Sequence, residues 1–275
     1  MARSTNAQLA VDQFKILKER YSWTKCEAWQ GMARLLLTCN MWQSGGWCAF
    51  HGVVVYRETN DFKIGPRGPN QVLRRAESLS GYLSQRLDIP RSELCQNIGL
   101  YWRDPVIAKL QPHNLVGHSF RSLTVTALEM FGDKDLVFEE EVDPAQEFPG
   151  FSFTTRSKDA RIDIAARREK RTVALISTRW RYRHDRVDVV EEALSYVAAA
   201  RRQNPSCALY AFVGEFAPNR LEKILSNCPP AMPNAALAAA VHFQPDLISE
   251  GLQENGRLAH LKSLEWLIDQ SFTWK

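Results

Sequence analysis

Ser177, Arg179, Arg181 and Arg183 alternate after an apolar run at 173–176, then Asp185 and Arg186 follow, and Glu191 and Glu192 open an acidic stretch. Alternate strand residues share a face, so a hydroxyl and several guanidinium groups would project together where such a strand ends. Asp163 sits between Ile162 and Ile164 in a preceding run that reads as the partner strand of a hairpin. A carboxylate at one strand edge and a Ser/Arg pair at its neighbour can meet one bound cation or one phosphate. A solvated turn has the same charge pattern, and Asp163 alone also fits a surface carboxylate.

The elements around this stretch follow from periodicity and breakers. Residues 119–131 predict a helix with Glu129 near its end and Gly132 as its stop. Strands are predicted over 136–142, 161–166 and 172–176, with R-R-E-K-R as a charged turn. A helix begins at Asp188, with acids in its first turn and Arg201 and Arg202 in its last, as the macrodipole favours. There Glu191 and Glu192 also read as simple dipole complements. Residues 208–213 form a further buried strand, so the order is helix, three strands, helix, strand. The prediction is an α/β fold with a central mixed five-stranded sheet flanked by helices. Residues 116–275 would form this core and residues 1–115 a mainly helical elaboration packed on it.

In that N-terminal part, helices are expected from about 8 to 38 and over 71–87, with a short strand at 49–56. Glu77 and Glu93 read as an ion-pair partner and a helix-start acid. Trp23, Trp29, Trp42 and Trp47 read as core, with base stacking as the other use of such rings. The last third, including the apolar run 235–241 and a closing helix near 258–268, reads as packing.

Composition narrows the class. The 275 residues are 45% hydrophobic and 24% charged, enough for a full core. Apolar runs are too short to cross a bilayer and the first residues lack a signal-type apolar core, so a cytoplasmic protein without membrane contact is expected. Six scattered cysteines without a C-x-x-C pair point to reduced thiols rather than a zinc site. Between 156 and 186 there are eleven Lys or Arg against four acids, in a chain whose net charge is only +4. Such a segment is the footprint expected for a polyanion partner.

A Glu-bearing helix, Asp163 on a hairpin strand and Ser177-Thr178-Arg179 on the next resemble the PD-(D/E)XK nuclease core. With Arg183-His184-Asp185-Arg186 four residues after Arg179, and Glu192 thirteen after it, the string resembles type II restriction endonucleases that recognise CCGG, or CC and GG around a short spacer. The resemblance covers about 161–202 and implies a restriction-endonuclease-like core. It implies Mg²⁺ held by Asp163 and Glu192, Glu129 as a supporting acid, and Ser177 at the position of a displaced carboxylate. Arg179 stands where the family has its catalytic Lys, and Ile162 where it has Pro. Arg183, Asp185 and Arg186 would read base edges, with Arg181 and His184 beside them on the DNA. Arginine binds guanine O6 and N7 in a fork, and a carboxylate accepts from cytosine N4. The implied activity is hydrolysis of one phosphodiester per strand of double-stranded DNA, leaving a 5′-phosphate. A palindromic site implies a homodimer or a dimer of dimers. The Arg at position 179 implies the other possibility, a nuclease-fold protein that binds specific DNA without cutting it.

Overall fold

The apolar run at 173–176 becomes the interior of a strand paired on both sides. The computed structural model describes residues 5–32, 112–153, 160–180, 188–215, 218–243, 245 and 256–275. The predicted strand at 49–56 and helix at 71–87 lie outside them. The chain divides into two units, one of residues 3–21 and 30–119 and one of residues 1–2, 22–29 and 120–275.

In the first unit, helix α1 (Thr5–Tyr21) buries Ala7, Ala10, Val11, Phe14 and Leu17. These positions recur at helical spacing and make one apolar stripe. The helix stops where Ser22 turns to φ 51°. Residues 22–29 belong to the second unit and include Trp23, which is buried, in keeping with its reading as core; helix α2 (Ala28–Met32) follows.

Helix α3 (Pro112–Phe131) enters the second unit and begins earlier than predicted, because Pro112 suits a first helical position. Then come β1 (Leu136–Val142), the short helix α4 (Pro144–Glu147), β2 (Ile162–Arg168) and β3 (Arg171–Arg179). Helix α5 (Asp188–Gln203), β4 (Ala208–Val213), α6 (Pro218–Leu225), β5 (Leu237–His242), β6 (Lys262–Ser263) and α7 (Leu264–Ser271) complete the unit. The six strands among the described residues form one sheet in the order β1-β2-β3-β4-β5-β6. The first three are an antiparallel meander, and β3 to β6 are parallel.

The predicted mixed α/β sheet is therefore present, with one strand more than the five expected. Leu237–His242, in the region read only as packing, is a buried strand. Its alanines carry little strand propensity, and pairing with β4 decides its state. The extra β6 has two residues, and Ser263 caps α7 by accepting from Trp266 N at 3.1 Å.

Both sheet faces are covered. On one, Phe120 of α3 packs on Phe212, and Trp274 packs on Tyr210 and Phe138. On the other, Ala165, Leu175, Leu209 and Ala211 meet Tyr196, Val197 and Ala200 of α5 and Leu221 and Ile224 of α6. Gly132 follows α3 without a left-handed φ, and its position needs glycine for a steric reason. A Cβ there would lie 2.7 Å from both the Leu128 oxygen and Ser271 Oγ.

Cys207 and Cys228 lie in this core, and burial pushes their thiols up to about 12 and about 11. At pH 8 both stay protonated and covered; the hydrogen bond to Glu265 raises the Cys26 thiol as well, and Cys26 differs in being exposed. Alkylation of the native protein at pH 8, read by peptide mass mapping, should label Cys26 and spare Cys207 and Cys228 until denaturant is added. The raised values also mean that the unfolded chain releases these protons first. Their contribution to stability is complete below the ordinary thiol value of 9.0 and is lost as pH rises toward about 11 to 12.

Candidate functional site

The β2–β3 hairpin builds the site. Its strands join through Glu169 and Lys170, with Glu169 at φ 58°. Arg167 pairs with Thr172 and Ala166 with Ala174, so Val173 is the extra residue of a bulge. Beyond it the register runs evenly to Ile164 opposite Ile176. The next pair outward is Asp163 and Ser177, and Arg179 lies two residues further on the same face.

The structure brings these three together. The Asp163 carboxylate accepts from Thr178 N–H at 2.8 Å and from Ser177 Oγ at 3.3 Å. Arg179 Nη1 donates to both of its oxygens, at 3.2 and 3.3 Å. Asp163 is nearly covered, at 12% side-chain exposure, while Arg179 reaches solvent at 38%.

The end of β3 is anchored from behind. Gly214 N–H donates to the Arg179 oxygen at 3.0 Å. Trp180 is buried, stacked on Phe243 at 5.8 Å and edge-on to Phe120 at 5.4 Å. Its ring lies against Gly214, where a Cβ would come within 2.2 Å of Trp180 Cε3. Glycine is required there by this approach. Sequence reading missed both the wedge and its glycine, because neither residue carries the charge that marks the site.

Helix α5 connects the parallel strands β3 and β4, so its N-terminal end lies at the end of the sheet that bears Arg179. Glu192 belongs to that helix, but its side chain lies outside the described residues. Arg181, Arg183, His184, Asp185 and Arg186 lie outside them entirely.

Glu129 is not brought to Asp163. It is exposed near the C-terminal end of α3, four residues before Asp133, which pairs with Arg168 at 2.5 Å. Arg168 closes the turn end of β2, roughly 16 Å along the strand from Asp163. The part of α3 nearer Asp163 instead carries Arg121 and Ser122. Arg121 binds Glu140 at 3.2 Å and Glu141 at 2.9 Å, and Ser122 Oγ donates to Glu140 at 2.5 Å. Glu141, between the Glu140–Ile164 and Val142–Ile162 pairs, lies across from Asp163 in the left-handed region at φ 53°. The three consecutive acids of β1 were the signal for this network.

The basic segment is less basic than its count. Arg161 pairs with Asp143, Arg167 with Glu139 and Glu147, Arg168 with Asp133 and Asp135, and Arg179 with Asp163. A tally along the segment omits the acids that β1 and α4 bring across. Lys170 and Arg171 are exposed at the hairpin turn.

No known protein family, curated protein or solved structure matches this chain. No group of three or more His, Cys, Asp or Glu suited to a metal ion occurs among the described residues. A hard divalent cation wants several oxygen ligands, and the described site offers one carboxylate already compensated by Arg179. In this arrangement the described donors do not fit Mg²⁺. No helix among the described residues is long and apolar enough to cross a membrane.

Proposed function

We propose that the chain is a Mg²⁺-dependent, sequence-specific endonuclease with a restriction-endonuclease-like core, acting on double-stranded DNA at a palindromic CCGG or CC-spacer-GG site. The observation that carries this reading is the Asp163, Ser177 and Arg179 constellation, two adjacent strand ends at the end of the sheet where α5 begins. The order helix, meander of three strands, helix, parallel strand supports it. Ligands of α/β sheets commonly sit at the carboxyl ends of the strands. Asp163 and Glu192 are the proposed Mg²⁺ carboxylates, Arg179 the phosphate partner, and Arg183, Asp185 and Arg186 the base readers. A cytoplasmic homodimer or dimer of dimers completes the proposal.

One observation favours a second reading, sequence-specific DNA binding without cleavage. The Arg179 guanidinium occupies the carboxylate that would hold the cation. A guanidinium is also broader than an ammonium and does not deprotonate.

Digestion of supercoiled plasmid with Mg²⁺, followed by sequencing of the ends, separates the two. The expected result is linear DNA with 5′-phosphate ends inside one CC/GG-type sequence. Specific binding without nicking at enzyme excess selects the second reading, and absence of DNA binding overturns both.

A further inference from the structure

A second guanidinium stands at the same end of the sheet as Arg179 and leans, as Arg179 does, on a covered carboxylate. We propose that Arg220 is a further phosphate-binding residue of this site, meeting the DNA backbone beside the phosphate assigned to Arg179. This rests on the endonuclease reading above.

The sheet register puts both pairs on one face. In the parallel pairing of β3 and β4, Ser177 lies beside Ala211 and Arg179 beside Val213, and Gly214 N–H donates to the Arg179 oxygen. Glu215 is therefore the second residue past the neighbour of Arg179, where β4 leaves the sheet. Ala211 and Val213 share the face covered by α5 and α6, the face on which Ala165 and Leu175 lead to Asp163, Ser177 and Arg179. Helix α6 joins the parallel strands β4 and β5, so its first turn, which holds Arg220, lies at the carboxyl end of β4. Its Leu221 and Ile224 pack on the same face.

The pair has the geometry of a presented cation. Arg220 Nη1 donates to a Glu215 carboxylate oxygen at 2.9 Å, with Glu215 at 7% exposure and Arg220 at 24%. A guanidinium carries five N–H donors, and among the described residues this contact with Glu215 engages one of its nitrogens. The donors that remain suit a phosphate, which takes a planar fork. A side chain already held by a covered carboxylate also loses less freedom when it binds an anion. Two guanidinium groups at the ends of adjacent strands would thus meet the backbone side by side, while base reading stays with the segment after Arg179.

Binding of a fluorescent CCGG duplex, and of an equally long duplex without CC or GG steps, tests the assignment in EDTA from about 50 to about 200 mM salt. Replacing Glu215 and Arg220 together by Gln leaves the net charge of the chain unchanged and strands neither charge. This double variant should bind both duplexes about tenfold more weakly at the lowest salt, and its slope of log affinity against log salt should fall by about 0.9, the value of one phosphate. Equal loss on the two duplexes marks a backbone contact, since phosphates carry no sequence. Glu215→Gln alone keeps the guanidinium and should keep the wild-type slope. Should circular dichroism show the double variant unfolded, the apolar pair Glu215→Leu with Arg220→Met takes its place. Wild-type slope and affinity in the double variant overturn the assignment, as does a loss confined to the CCGG duplex or an equal fall in slope for Glu215→Gln alone. Failure of the endonuclease reading is seen separately, as wild-type protein that binds neither duplex.

Discussion

Glu147→Ala is expected to lower the stability of the fold by about 3 kcal/mol, in the range found when one partner of a buried ion pair is removed. Glu147 is 7% exposed and accepts from Arg167 Nε at 3.1 Å, from Arg167 Nη2 and from Thr172 Oγ1. It sits in α4, which Asp143 starts by accepting from Ala145 N–H at 3.0 Å. One carboxylate thus ties the β1–β2 connection to both strands of the hairpin that carries the site. The hydrogen bond to Glu147 raises the Arg167 guanidinium above its ordinary value, and even without it a guanidinium keeps its proton, so a stranded Arg167 cannot escape by becoming neutral. Glu139 also pairs with Arg167, and Arg167 is 24% exposed, which keeps the expected loss at the low end. Urea unfolding at constant m-value measures it, and a loss below about 1 kcal/mol would show that the network is solvated. Joint replacement of Glu147 by Leu and Arg167 by Met should recover most of the loss, since removing both charges leaves neither stranded. The exposed pair Lys25–Asp269, at 40% and 48%, offers a contrast, because pairs of that kind contribute about 0 to 1 kcal/mol.

That contrast explains what was legible in the sequence. Strand alternation and a short turn were enough to bring Asp163, Ser177 and Arg179 to one face, because pairing geometry is local to a hairpin. The bulge at Val173 did not disturb this, as it lies on the turn side of the Ala166–Ala174 pair. Contacts that need a third element were not legible. Glu147 meets Arg167 across twenty residues, and Arg121 meets Glu140 across nineteen. Segment charge was misread for the same reason, since the acids that neutralise Arg161, Arg167 and Arg168 come from 133–147. Glu129 was assigned by its presence on the right helix. The direction of that helix carries it toward the turn end of β2, and only the sheet register reveals which end matters.

Asp163→Asn should remove plasmid cleavage by at least about a thousandfold, or ~4 kcal/mol of transition-state stabilisation, if Asp163 is the carboxylate that holds the metal. The fold should tolerate the change. Asn keeps an oxygen for the Thr178 N–H, and Arg179, released from its ion pair, is more than one-third exposed. Solvent screening of such a partner limits the stability cost to about 1 kcal/mol or less. A second effect runs the other way. Removing a negative charge beside the phosphate position and freeing Arg179 should tighten DNA binding at low salt, with the difference shrinking as salt rises. Cleavage assays and binding isotherms at two salt concentrations therefore read the same substitution in opposite directions. Tighter binding with no cleavage in either protein is the outcome for a nuclease fold that only binds DNA. Cleavage that persists within tenfold of wild type takes Asp163 out of the chemistry, because no rearrangement of Ser177 and Arg179 restores a negatively charged oxygen at that strand end.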